Sequence, residues 1–195
     1  MQGGASVSTL RRIHVHTRPG PVVLGVVSLV PGMIRVVTIA ETETASVVLE
    51  PLTPGIDEGL ADVIGQAETT SVPGRVNVIA SVADAQGARV QTILDALLSP
   101  GALDQDRIAP LRIAAFVPEG SSIAVDTVHA SVLCTGAGFD KAQVCTIGGE
   151  VGIEEAQRPV VTTVAGRVMV GVAEQARLTS FASDIVVRQP RPRNR

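Results

Sequence analysis

The sequence predicts an α+β protein that is mainly β: an antiparallel sheet, sandwich or barrel with one clear helix at about residues 84–98 and one weaker helix at about residues 54–64. Three observations lead to this prediction. Hydrophobic residues make up 45% of the chain and aromatic residues only 2%, so the apolar mass is Val, Ala, Ile and Leu, and β-branched residues favour strands. Apolar residues alternate with other residues along several segments, as in half-buried strands. Pro-Gly pairs, which suit tight turns, separate these segments at unequal intervals, which indicates punctuation and not a repeat.

The clearest local signal is the stretch Arg75–Leu98, which predicts a strand followed by a helix. Val76, Val78 and Ala80 recur with the period of two that a strand shows. From Asp84 onward the apolar residues recur at helical spacing, and Asp84 can accept hydrogen bonds from the first turn as an N-cap. The apolar stripe of this helix is suited to covering one face of a sheet.

The residues before this stretch predict three main strands and the weaker helix. A short strand at residues 13–16 precedes two apolar strands at residues 22–30 and 33–40. Pro31-Gly32 between the latter two predicts the tight turn of a hairpin. Thr53-Pro54 is a suitable cap and first residue for the weaker helix.

The last third of the chain predicts further strands at residues 111–117, 122–134, 144–147 and 159–172, with residues 185–187 closing the sheet. The apolar positions in residues 122–134 change from odd to even numbers. This change of parity indicates either a bulge or a strand buried on both sides.

Charged residues are few and unevenly placed. They make up 18% of the chain, against roughly 25% in typical soluble domains, so we expect neighbouring copies to cover apolar surface. Residues 1–12 and 188–195 are predicted to be flexible basic arms of a single domain. The candidate interaction residues are the terminal arginines, Arg11, Arg12, Arg18, Arg188, Arg191, Arg193 and Arg195.

These arginines flank an acidic body, because residues 19–187 carry nine positive and nineteen negative charges. The arms are either solvated tails or segments that pair with acidic surfaces of adjacent subunits. Nucleic acid is the least favoured partner, since the body is acidic and stacking aromatic residues are scarce.

Motifs for cofactor or metal chemistry are sparse. His14 and His16 share one strand face, a spacing that can supply two metal ligands, but a third ligand has to come from elsewhere in the chain. The glycine-rich segments match no nucleotide-binding pattern. We therefore predict no cofactor, no metal site and no catalytic residue.

An alternative reading is a small enzyme or ligand-binding domain with an apolar pocket. It would use Asp126 and His129, which share a strand face only if a bulge lies between them, or the loop between Cys134 and Cys145. The two cysteines are either reduced thiols or a bridge that closes this loop.

The favoured function is that of a structural or assembly subunit of a homo-oligomeric particle or tube, without catalysis. A strand and an acid-capped helix among extended hairpins resemble small virion proteins of tailed bacteriophages, such as tail or head accessory subunits; this resemblance covers about 25 residues and assigns no functional residue. The longest apolar run, at residues 22–30, is too short for a spanning helix, which needs about twenty residues. With no secretory signal in the sequence, we expect a cytoplasmic or virion location, the chain itself as the main partner, and no membrane.

Overall fold

A computed structural model describes residues 10–53, 58–81, 110–136 and 138–190 of the chain. These residues contain fourteen strands and one helix, so the prediction of a mainly β protein is confirmed. The helix α1 is Glu58–Gln66, and the strands are β1 (Arg12–Val15), β2 (Val23–Ser28), β3 (Gly32–Ile39), β4 (Ser46–Pro51), β5 (Glu68–Val72), β6 (Arg75–Ala80), β7 (Leu111–Pro118), β8 (Ser122–Thr127), β9 (Ala130–Thr135), β10 (Phe139–Gly148), β11 (Val151–Ala165), β12 (Val168–Ala173), β13 (Arg177–Ser180) and β14 (Ile185–Pro190).

The strands form one continuous, nearly closed mixed sheet in which the chain coils around an apolar interior. Its hydrogen-bonded path runs β1-β4-β7-β3-β9-β11-β10-β8-β2-β6-β5, and β12, β13 and β14 extend it beyond β11. One side of the coil is the stack β6-β2-β8-β10-β11-β13, and the other is the stack β7-β3-β9-β11-β12-β14. The long strand β11 passes around the corner and belongs to both stacks.

The regular step between paired residues identifies this arrangement as a parallel β-solenoid. Ala142 pairs with Pro159 in the first stack, and Val151 pairs with Val168 in the second, a step of 17 residues in each case. Val168 in turn pairs with Ile185, again 17 residues further along the chain. Each coil therefore supplies one strand to each side and places equivalent residues directly above one another.

The predicted antiparallel pairing is wrong for most of the sheet. Only β1–β4, β4–β7 and β5–β6 pair antiparallel among the described residues, and the remaining described pairs are parallel. Pro31-Gly32 joins β2 to β3, but these two strands pair with β8 and β9 of the next coil instead of with each other. The pair is a corner of the solenoid, not a hairpin turn.

The change of parity in residues 122–134 also has a different cause from the predicted bulge. The segment contains two strands, β8 and β9, and the chain turns a corner at Val128 and His129 between them. Because each strand starts its own alternation, the buried positions change from odd to even numbers.

The predicted helices have different outcomes. The weaker helix, predicted at about residues 54–64, is found as α1, although its predicted start lies outside the described residues. The clear helix predicted at about residues 84–98 lies outside them entirely. No helix among the described residues is long and apolar enough to cross a membrane.

Glycine is required where successive corners stack closely. Gly149 has a φ of 107°, and a Cβ atom on it would lie 2.6 Å from the carbonyl oxygen of Ala130. On the next coil, a Cβ atom on Gly166 would lie 2.1 Å from the carbonyl oxygen of Gly149. Both distances are far below van der Waals contact, so side chains are excluded at this corner.

The interior is lined by columns of aliphatic residues and one column of hydroxyls. Ser28, Thr127, Thr146, Thr163 and Ser180 follow one another in register along the first stack, just before the corner. Most of these hydroxyls bind the main chain of the corner: for example, Thr146 Oγ1 donates to the carbonyl of Gly148 at 2.5 Å. The column thus satisfies polar main-chain groups where the chain changes direction.

One end of the solenoid is closed by α1, β1 and the β5–β6 hairpin. Leu60 and Ile64 of α1 are buried in the core. Arg12 of β1 places Nη1 at 3.2, 3.0 and 2.6 Å from the carbonyl oxygens of Ile64, Gly65 and Ala67, at the end of the helix. These carbonyls lack partners within the helix, so Arg12 serves as a C-terminal cap that ties the first strand to the closing elements.

Candidate interaction surface

The opposite end of the solenoid is an open edge. Among the described residues β14 pairs only with β12, and β13 pairs only with β11, so each strand has one side without a strand neighbour. Ile185 and Val187 of β14 occupy the same interior columns as Val168 and Val170 of β12. Their exposed fractions are 38% and 39%, whereas Val168 and Val170 are fully buried. The open edge therefore presents core-type side chains to the outside.

The loop and strand at this edge carry further exposed groups. Phe181, between β13 and β14, is 77% exposed, the largest value among the exposed hydrophobic residues. On the outer face of β14, Val186 lies between Asp184 and Arg188, and all three are exposed. An edge strand with apolar and charged side chains and unpaired main-chain groups is a template for pairing with another chain.

The structure locates four of the seven predicted interaction arginines. Arg11 forms an ion pair with Glu50 at 3.5 Å, and Arg12 caps α1. Arg18 is exposed in the segment between β1 and β2, and Arg188 lies in β14. Arg191, Arg193 and Arg195 lie outside the described residues, as does most of the predicted N-terminal arm.

The residues of the alternative enzyme reading are brought together only in part. Cys145 of β10 pairs in register with Asp126 of β8, and both lie on the outer face. His129 is at the corner that follows β8, where its Nδ1 would be 3.2 Å from a Cβ atom on Gly148. Burial raises the pKa of Asp126 and lowers the pKa of His129, so each neutral form is favoured.

The thiols are poor nucleophiles in this environment. Partial burial and, secondarily, the charge of Asp126 raise the pKa of Cys145. Cys134 is fully buried in an aliphatic column between Val36 and Ile153, and this burial raises its pKa to about 12. Both cysteines are free, so the alternative of a bridge between them is not realised. Because reactivity requires the thiolate, the arrangement opposes cysteine catalysis.

The two N-terminal histidines serve the closed end. His16 is buried, and its Nδ1 lies 2.5 Å from Ser71 Oγ of β5. His14 precedes it on the same face, and its buried Nε2 has no hydrogen-bond partner among the described residues. The described part of the chain contains no cluster of three His, Cys, Asp or Glu side chains that suits a metal ion.

A shallow groove of about 720 Å³ on the outer face of the first stack is lined by basic and acidic side chains. Its lining includes Lys141, Arg158, Arg177 and Glu174. Arg158 is held by Asp140 at 2.6 Å, so part of its charge is already neutralised within the chain. The groove lacks the enclosed apolar walls and converging polar groups of a small-molecule site.

The open edge is the surface that sequence patterns alone did not locate. Residues 185–187 were predicted to close the sheet, and Asp184 was not selected at all. The available signal was the 17-residue recurrence of similar residues, such as Val151, Val168 and Ile185, which identifies β14 as the last described coil of a stack. A terminal coil necessarily has an uncovered side unless another element caps it.

Comparison with known proteins supports the fold. No protein-family model and no curated protein sequence matches the chain. The crystal structure of a "putative cell adhesion protein" from Clostridium sporogenes ATCC 15579 is similar with a TM-score of 0.54 and 6% identity, over 91% of this chain and 98% of that chain. A "putative lipid binding protein" from Parabacteroides distasonis ATCC 8503 aligns over 91% of this chain and 94% of that chain, with a TM-score of 0.29 and 8% identity. The first likeness concerns the fold alone, and the second carries no argument; the chain therefore shares a β-rich architecture with a known structure.

Proposed function

We propose that this protein is a non-catalytic structural subunit that assembles with copies of itself through the open end of its solenoid. The observation that carries the proposal is the contrast between the two ends. One end is closed by α1 and the hairpin, whereas the other leaves Ile185 and Val187 more than one-third exposed. Covering such core-type side chains releases ordered water and supplies the main driving force for association.

The remaining surface supports assembly better than catalysis. The thiol next to Asp126 is held in its protonated form, and the groove beside Arg158 is open. A particle or tube, in the cytoplasm or in a virion, is the setting that the low charge of the sequence favours, and electron microscopy of the assembled protein tests it. A discrete dimer would restrict the role to that of a building block.

The test compares two valines of matched exposure. Val187 at the open edge is 39% exposed, and Val23 on the outer face of β2 is 37% exposed. We expect Val187→Glu to shift the full-length protein from oligomer to monomer in light scattering, because a carboxylate then lies where the apolar column meets its partner. Val23→Glu should leave the oligomer unchanged.

Circular dichroism of both variants serves as the control for folding. A wild-type protein that is monomeric at every concentration would contradict the proposal. Equal effects of the two substitutions on an observed oligomer would place the interface elsewhere on the surface.

A further inference from the structure

The open edge has one preferred way to meet a second copy of this chain. We infer that β14 pairs with β14 of the second copy, antiparallel, around a twofold axis at Val186, with Asp184 of each copy opposite Arg188 of the other. This inference rests on the proposed function and adds the register of the interface. Three independent features of β14 select it.

The first feature is the direction of the main-chain groups. Val168 N donates to the carbonyl oxygen of Asp184 at 3.2 Å. In a strand, alternate residues direct both main-chain polar groups to the same side. Asp184, Val186 and Arg188 therefore direct theirs toward β12, and Ile185 and Val187 direct theirs toward the open edge.

The second feature is the match of these free groups to a twofold partner. With the axis at Val186, Ile185 of one copy lies opposite Val187 of the other, and the two residues exchange both main-chain hydrogen bonds. Their side chains point into the interior, in line with Val168 and Val170. Both the hydrogen-bond ladder and the apolar columns then continue across the interface without a break.

The third feature is the charge pattern of the outer face. Asp184 and Arg188 lie two residues on either side of Val186, so a twofold axis at Val186 brings the opposite charges together twice. An axis at Asp184 or Arg188 places like charges opposite each other, and an axis at Ile185 or Val187 leaves the charges without opposite partners. Opposite charges at directly facing positions stabilise an antiparallel pair, and like charges destabilise it.

Charge reversal tests the register. Asp184→Arg and Arg188→Asp should each weaken self-association by about tenfold, because two facing pairs per dimer become repulsive. The double variant should recover the wild-type affinity. A mixture of the two single variants should form heterodimers, which native mass spectrometry resolves from homodimers. Arg167→Glu, a charge reversal just before β12 and off the edge strand, is the control and should leave affinity unchanged.

Cross-linking provides a geometric test that does not depend on charge. In a Cys145→Ser background, Val186→Cys should form a disulfide-linked dimer on mild oxidation, since the residues at the axis lie roughly 4.5 Å apart between Cα atoms. Met169→Cys is the matched control, because Met169 pairs in register with Val186 on the neighbouring inner strand. It should remain unlinked.

The outcomes separate this inference from the proposal on which it rests. A dimer that Val187→Glu disrupts, but that neither charge complementation nor Val186→Cys follows, would overturn the register and leave self-assembly standing. A wild-type protein that stays monomeric would overturn both.

Discussion

At the residue scale, the column of hydroxyls shows how a solenoid corner is stabilised from inside. Ser28 Oγ donates to the carbonyl of Val30, and the hydroxyl oxygen of Thr127 accepts from the main-chain N–H of Ala130. Thr163 differs, because its Oγ1 is buried and has no hydrogen-bond partner among the described residues. The same residue type at equivalent positions therefore makes opposite contributions to stability.

We expect Thr163→Val to raise the free energy of unfolding by about 1 kcal/mol, because it removes a buried hydroxyl that lacks a partner. Thr146→Val should lower it by about 1 kcal/mol, because the carbonyl of Gly148 then loses its donor. Urea denaturation of the two variants measures both changes. Changes of the same sign would show that the column acts only through packing.

At the element scale, the closing elements depend on a contact between distant parts of the chain. Arg12 of β1 caps α1, and Ile64 and Leu60 anchor the helix in the core. Arg11, its neighbour, instead forms a half-exposed ion pair with Glu50. Two adjacent arginines predicted to act as a basic arm thus occupy very different environments.

We expect Arg12→Gln to lower the free energy of unfolding by about 2 kcal/mol, since the carbonyls at the end of α1 lose a charged donor. Arg11→Gln should change it by less than about 1 kcal/mol, because exposed ion pairs contribute little. Thermal or urea unfolding distinguishes the two. If both variants lost the same small amount, Arg12 would have no capping role.

The elements also show which parts of the fold were readable from the sequence. The strand β6 was predicted correctly, and Pro73-Gly74 does form the turn of the antiparallel β5–β6 hairpin. Pro31-Gly32 has the same local character but forms a corner, because β2 pairs with β8, whose residues lie about one hundred positions further along the chain. Local patterns identify strands and turns, whereas the choice of partner depends on non-local contacts that leave no local mark.

At the scale of the whole molecule, the solenoid explains the unusual composition. Each coil buries one face of every strand against aliphatic columns, so Val, Ala and Ile suffice and aromatic residues are scarcely needed. Low charge on the outer faces follows from the small number of loops. The strongest sequence signal for this architecture was the spacing of 17 residues between equivalent positions such as Thr146 and Thr163. The unequal Pro-Gly intervals concealed it.

The candidate site was less predictable than the fold. Self-association was inferred from composition, but the predicted contact residues were arginines chosen for their position near the chain ends. Arg188 alone of these lies on the described part of the open edge, and Asp184 became a candidate only through its place opposite it across a twofold axis. An edge exists only once strand order is known, and strand order was the part of the fold that sequence patterns left open.

The constant step between coils has a consequence for how this protein can change in length. Removing residues 151–167 takes out one whole coil, and β12 then follows β10 with every interior residue still facing inward. We expect this deletion to leave a folded protein by circular dichroism, whereas removing residues 151–166 should unfold it, because a shift of one residue turns each remaining side chain to the wrong face. The molecule can therefore lengthen or shorten only in units of one coil, so natural size variants of this architecture should differ by whole multiples of about 17 residues.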